Sequence, residues 1–135
     1  MKPLRLTLLL MAAIAAQQAY AQDIQSANLT WTVDQLTDLK KAYSGAYSCV
    51  FTTSASGISW TQKNRTTSIV VQSSSGSWSD ITAIGSITFQ VTIDGVVSTL
   101  TFERNQDGVF VTMDCTIADP TDIKYKYRVS SVQPN

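Results

Sequence analysis

The sequence predicts a mainly β protein: a single antiparallel meander of seven to eight strands that closes into a small barrel or folds into a β-sandwich. Three observations lead to this prediction. Residues 86–94 alternate apolar and polar side chains in strict period two. Asp94-Gly95 separates this run from another alternating run at 96–104, and Asp-Gly in that position is a strong hairpin signal. The connections are short, so sequential strands are expected to be antiparallel neighbours.

The start of the chain has the organisation of a secretory signal peptide. Lys2 and Arg5 precede an apolar run at 6–16, which is too short to cross a bilayer as a helix. An Ala-Tyr-Ala sequence at 19–21 then supplies the small residues that signal peptidase requires. We therefore expect cleavage after Ala21 and export to a periplasmic or extracellular compartment.

Cleavage divides the chain into a signal peptide, 1–21, and a single β domain, 22–135. The domain has 114 of the 135 residues, which is enough for one hydrophobic core. It contains eight basic and ten acidic residues, a balance that argues against a nucleic-acid-binding surface. No membrane span is expected in the mature chain.

One short helix is predicted near 33–43, ahead of the strands. Apolar residues recur there at steps of three and four, at Val33, Leu36, Leu39 and Tyr43. Thr32 and Gln35 have the spacing of a capping box, and Gly45 is a natural stop. The helix is expected to cover one end or one edge of the sheet.

The rest of the domain reads as strands joined by short loops. They are predicted near 46–54, 57–63, 66–73, 78–84, 86–94, 96–104, 109–117 and 123–129, the fourth being short and irregular. Short loops favour an up-and-down barrel over a Greek-key sandwich. A short helix followed by about eight strands resembles the layout of small lipocalin-like barrels. The resemblance is one of layout alone and carries over no site residues.

The two cysteines, Cys49 and Cys115, fall on predicted inward faces. Export to an oxidising compartment favours a disulfide between them. The alternative is a pair of buried free thiols that pack as small apolar residues.

Neither a catalytic site nor a metal site is predicted, and no cofactor is expected. The chain has no histidine, which excludes Ser-His-Asp and Cys-His nucleophilic sites. The only glutamate is Glu103, and most aspartates lie in predicted turns, where side-chain hydrogen bonding to the backbone explains them. The protein is therefore predicted not to be an enzyme.

Aromatic residues on the inward faces form the candidate ligand-binding set, which consists of Tyr47, Trp60, Trp78, Phe89, Phe102, Tyr125 and Tyr127. A barrel of eight strands either fills with side chains or holds one small ligand. We therefore expect an exported, non-enzymatic binding protein of unknown target, whose partner is a small apolar ligand inside the barrel or another protein. The alternative is a structural or adhesive envelope module that acts through its sheet surface.

Overall fold

The computed structural model describes residues 23–115 and 123–135. The segment interpreted as a signal peptide lies outside the described residues, and so does the end of the strand predicted near 109–117. In the described part of the chain, no helix is long and apolar enough to cross a membrane.

Eight strands form one closed antiparallel barrel, in which β8 pairs back onto β1. The strands are β1 (Leu29–Asp38), β2 (Tyr43–Ser54), β3 (Gly57–Gln62), β4 (Arg65–Ser75), β5 (Gly85–Ile93), β6 (Val96–Asn105), β7 (Gly108–Asp114) and β8 (Lys124–Pro134). The predicted meander is confirmed, and it closes as a barrel rather than a sandwich. Asp94 and Gly95 have φ values of 48° and 83°, as the predicted tight hairpin between β5 and β6 requires.

The helix predicted near 33–43 is wrong. β1 covers most of this segment and pairs with β2 on one side and β8 on the other. The pairing with β8 passes directly from Val33 to Gln35, so Asp34 is the extra residue of a β-bulge. A bulge shifts the alternation of a strand by one residue, which places the inward residues Val33 and Leu36 three apart. Apolar residues three positions apart are also typical of a helix, and for that reason the segment was predicted to be helical. The only helical element in the described residues is a 3-10 turn at Ile24–Ser26.

The short strand predicted at 78–84 is a loop between β4 and β5. Trp78 turns inward from this loop and is 2% exposed. Its indole N–H donates to the carbonyl oxygens of Asp80 and Ala83, at 2.7 and 3.0 Å. The backbone N–H of Ile24 donates to the Trp78 carbonyl at 2.8 Å. Trp78 and Ile24 therefore cover the barrel end at which β1 begins, which we call the closed end.

The predicted disulfide is also wrong, because Cys49 and Cys115 are separate buried thiols. Cys49 lies on β2 and Cys115 follows β7, so β1 and β8 stand between them in the wall. Three strand spacings amount to about 14 Å, whereas a disulfide needs Cα atoms within about 7 Å. Cys115 instead accepts a hydrogen bond from the Ser98 hydroxyl, with 2.9 Å between Oγ and Sγ.

Candidate functional site

All seven predicted aromatic residues belong to one network of ring contacts inside the barrel. In the half nearer the closed end, Phe102 is the centre of this network. Its ring centroid lies 4.8 Å from Trp31, 5.9 Å from Phe51 and 5.7 Å from Phe89. Trp31 in turn contacts Trp78, at 5.9 Å. Side chains therefore occupy this half of the barrel.

Two members of the network, Trp31 and Phe51, lie outside the predicted set, and both are 0% exposed. Trp31 alternates with Leu29 and Val33 on β1, a period-two signal that the helical interpretation of the following residues hid. Phe51 stands on the same face as Cys49 and could have been included on that ground.

Tyr127 is the centre of the network in the other half of the barrel. Its ring lies 5.4 Å from Phe51, 6.0 Å from Tyr47, and 6.2 Å from both Trp60 and Tyr125. Tyr127 is 1% exposed, and its burial, together with the neighbouring Cys49 and Tyr47, raises the pKa of its phenol well above the ordinary value. The hydroxyl therefore stays protonated under physiological conditions.

Tyrosines gather at the barrel end opposite the closed end, which we call the tyrosine end. Among the described residues, the turns at 38–43, 62–65 and 93–96 form this end. Four of the five tyrosines of the chain lie in this half of the barrel, at Tyr43, Tyr47, Tyr125 and Tyr127. The Tyr43 ring lies over the backbone of Gly45, where an added Cβ would come within 2.9 Å of the hydroxyl. Tyr43 itself is 67% exposed, so it is the outermost of the four.

The barrel wall has a step at the tyrosine end. β2 pairs with β3 only between Val50 and Ser54, so the segment 43–49 runs past the turn that joins β3 to β4. An open cleft of about 820 Å³ occupies this step, and we call it the mouth cleft; its lining is Ala46, Tyr47, Ser48, Gln62, Lys63, Asn64 and Arg65. The Tyr47 hydroxyl donates a hydrogen bond to the Gln62 side-chain oxygen across the cleft floor.

The mouth cleft has a basic outer lip. Lys63 and Arg65 are both exposed, and the Arg65 guanidinium forms an ion pair with Asp94 at 3.1 Å. This exposed pair contributes little to stability, but it fixes the Arg65 side chain toward the β5–β6 turn. Lys63 adopts a φ of 52°, which turns the chain tightly between β3 and β4.

Trp60 and Cys49 occupy the next inward positions below the mouth cleft, on β3 and β2. The Trp60 ring stacks on Phe51 with an interplanar angle of 3°. The Trp60 indole nitrogen is buried, and its N–H forms a weak hydrogen bond with the Cys49 thiol. Burial raises the pKa of the Cys49 thiol to about 11, although the neighbouring Trp60 N–H acts in the opposite direction. Cys49 is therefore a neutral thiol, with a sulfur that accepts hydrogen bonds only weakly.

The raised pKa of Cys49 predicts a loss of stability in alkali. Between pH 9 and pH 11 the thiol ionises in the unfolded chain but stays protonated in the folded protein, so the unfolded state binds fewer protons. Cys49 alone is expected to lower the free energy of unfolding by up to about 1.4 kcal/mol per pH unit over this range, and Tyr47 and Tyr127, whose pKa values are also raised, add to the fall above pH 10. Urea denaturation at several pH values would measure it. A Cys49→Ala variant should show a shallower fall, and an unchanged slope would contradict the prediction.

Carboxylates are dispersed over the barrel surface. Among the described residues, no three Cys, Asp or Glu side chains lie close enough to share a metal ion. Asp34 receives two hydrogen bonds from the Arg128 guanidinium, at 2.9 and 3.1 Å, and these lower the pKa of its carboxyl. Asp80 accepts from the Thr82 hydroxyl and backbone N–H, which lowers the pKa of that carboxyl. Both carboxyl groups have structural partners.

Comparison of the chain with protein-family models, with curated proteins and with solved structures returned no match.

Proposed function

We propose that the protein is an exported, non-enzymatic binding protein that holds a small, mainly apolar ligand in the mouth cleft. The cleft itself is the observation that carries this proposal. It combines about 820 Å³ of space with one aromatic side chain, Tyr47, and polar side chains at Ser48 and 62–65. Ligand sites have this size.

The packing of the interior favours the cleft over the centre of the barrel. Phe51, Phe102 and Tyr127 contact one another through ring centroids 5.9 and 5.4 Å apart, and all three are almost fully buried. A ligand at the centre would have to displace these rings. A ligand in the mouth cleft meets an existing space and needs only side-chain adjustments at its floor.

The chemistry of the site supports binding rather than catalysis. The chain contains no histidine, and the one thiol near the cleft, Cys49, has a raised pKa that disfavours the reactive thiolate. The hydroxyl of Tyr47 also has a raised pKa, mainly because of burial. The groups around the cleft are therefore suited to contact and hydrogen bonding.

A structural or adhesive role is the alternative, and the step in the wall favours it too. Residues 43–49 of β2 extend beyond the part of β2 that pairs with β3. A strand edge of this kind can accept an additional strand from another molecule. In that case the same step would serve as a self-association or partner surface.

Native mass spectrometry of the protein purified from its own producing cells would test the proposal. We expect the wild-type protein to carry a bound small molecule. An Asn64→Trp variant, which fills the mouth cleft from an exposed position, should lose it. A Val97→Trp variant is the matched control, because Val97 is 47% exposed on β6, and it should retain the ligand.

The other outcomes of this experiment separate the alternatives. A ligand retained equally by both variants would place binding elsewhere and overturn the mouth cleft as the site. Ligand-free dimers or larger assemblies of the wild-type protein would support the structural role instead. A ligand-free monomer in every sample would contradict the proposal.

A further inference from the structure

The charged side chains in the lining of the mouth cleft are all cationic. Lys63 and Arg65 supply two positive charges, and both groups are hydrogen-bond donors only. As far as the structure describes the chain, the lining includes neither Asp nor Glu. The side-chain oxygen of Gln62 accepts from the Tyr47 hydroxyl, which leaves the amide NH₂ of Gln62 as a further donor. The described lining therefore combines several donors with no charged acceptor.

Asp94 neutralises only part of this positive charge. It stands outside the lining, at the turn between β5 and β6, and its Oδ2 atom lies 3.1 Å from Nη2 of Arg65. Both side chains of this pair are largely exposed. Lys63 forms no ion pair with any described residue. Together, Lys63, Arg65 and Asp94 leave one net positive charge at the outer lip of the mouth cleft.

The turn between β3 and β4 holds the two cations beside the cleft. Gln62 pairs with Arg65 across this turn, so the turn itself consists of Lys63 and Asn64. Lys63 has a φ of 52°, in the left-handed region that tight turns use. A connection of two residues allows the backbone few conformations. The positions of Lys63 and Arg65 at the rim are therefore fixed by the backbone, and only their side chains can adjust to a ligand.

Tyr47 gives the mouth cleft one aromatic surface behind the basic lip. Its ring centroid lies 6.0 Å from that of Tyr127, and its hydroxyl is bonded to Gln62, so two contacts fix the orientation of the ring. Ala46 lies beside it in the lining. A molecule that fills the cleft meets an apolar surface at Tyr47 and a positive charge at the lip. A ligand with one apolar part and one anionic part is therefore expected.

A carboxylate has the charge and the hydrogen-bonding groups that this lip requires. Its single negative charge equals the net positive charge of the lip, and its two oxygens accept hydrogen bonds without donating any. Hydrogen bonds from ammonium and guanidinium groups to a carboxylate are about twice as strong as neutral ones. The bond to Asp94 engages only Nη2 of Arg65, so Arg65 can bind a second carboxylate together with Lys63.

We infer that the ligand of the mouth cleft is a small amphipathic carboxylate, bound through its carboxylate by Lys63 and Arg65 and through its apolar part by the ring of Tyr47. This inference rests on the proposed function, because it names the chemical class of the molecule that the cleft holds. Lys63 makes the larger contribution to the charge preference, since Arg65 shares its charge with Asp94.

Two probes of the same length and with the same ring would test the inference by calorimetric titration. 4-Phenylbutanoate carries a carboxylate where 4-phenylbutanamide carries a neutral amide. We expect the wild-type protein to bind the carboxylate about tenfold more tightly, as charge-assisted hydrogen bonds imply. This preference should shrink in about 1 M salt, where the screening length is about 3 Å. Backbone nuclear magnetic resonance signals of 46–48 and 62–65 would show whether the probes occupy the mouth cleft.

A Lys63→Gln variant removes the charge and keeps most of the side-chain length. It should bind 4-phenylbutanoate about fivefold more weakly, as the loss of an exposed ion pair implies, and should bind the amide as the wild-type protein does. Lys41→Gln is the matched control. Lys41 is exposed in the turn at 38–43, at the same end of the barrel, but does not line the mouth cleft. This variant should bind both probes with wild-type affinity.

The remaining outcomes separate this inference from the proposed function. If both probes shift the signals of the mouth cleft and bind with equal affinity, the inference is overturned and the proposed function stands. If Lys63→Gln and Lys41→Gln weaken carboxylate binding to the same extent, the preference reflects the overall charge of this end of the barrel, and the inference is overturned. If neither probe shifts the signals of the cleft, the inference is also overturned, and the mass spectrometry described above decides the proposed function independently.

Discussion

An alanine in place of Phe102 is expected to lower the free energy of unfolding by about 3–5 kcal/mol. Phe102 is 1% exposed and its ring contacts Trp31, Phe51 and Phe89, so its removal leaves a cavity that all three rings border. A domain of this size is stable by about 5–15 kcal/mol, so the loss is a large part of the total. Urea denaturation followed by tryptophan fluorescence would measure it.

The matched control for this substitution is Phe110→Ala. Phe110 lies on β7 and pairs with Glu103 of β6, the residue that follows Phe102. Because side chains alternate along a strand, Phe110 lies on the outer face of the barrel. Lys126 Nζ lies 4.3 Å from its ring centroid, and both side chains are only partly buried. A cation–π contact near the surface contributes about 0.5–1 kcal/mol. A loss below about 1 kcal/mol is expected. Equal losses for the two variants would show that the Phe102 cluster is not the centre of the core.

The second large effect is expected from Gly85→Ala, which should cost about 3 kcal/mol. A Cβ at Gly85 would lie 2.3 Å from Cδ1 and 2.6 Å from Cγ of Trp78. The indole cannot move aside easily, since its N–H is bonded to two carbonyl oxygens of its own loop. Thermal unfolding would report the lost stability, and near-ultraviolet circular dichroism would report the displaced Trp78.

Gly45→Ala is the comparison for Gly85→Ala. A Cβ at Gly45 would also be crowded, at 2.9 Å from the Tyr43 hydroxyl. Tyr43 is 67% exposed, however, and can rotate into solvent, so a cost below about 1 kcal/mol is expected. If Gly85→Ala proved as stable as the wild-type protein, the close packing of Trp78 on β5 would be refuted.

Local patterns in the sequence were sufficient wherever a strand is regular. Strand β5 keeps strict alternation, and Ile87, Phe89, Val91 and Ile93 are buried as predicted. The Asp94-Gly95 turn fixes the pairing of β5 with β6, and these two residues are enough to predict that turn. The prediction for β1 was wrong because the bulge at Asp34 is defined by the pairing of β1 with β8. β8 is a strand about ninety residues further along the chain. No local pattern contains that information.

The candidate site was predictable only as a set of residue types. Tyr47, Tyr125 and Tyr127 were recognised as inward aromatics, but the mouth cleft depends on where β3 ends relative to β2. Strand offsets of this kind come from the register of the whole barrel, which a single sequence does not display.

The pairing of β1 with β8 has a consequence for the order in which the molecule folds. Leu29 stands opposite Pro134, and the N–H of Asn135 donates to the carbonyl oxygen of Asn28 at 3.0 Å. This seam joins parts of the chain that are about a hundred residues apart, so it carries a high loop-closure cost and slows folding. During synthesis β1 cannot complete its pairing until β8 has been made. Until β8 arrives, β1 and β7 each present an open edge to other chains, and the protein is most prone to aggregation just before it is complete.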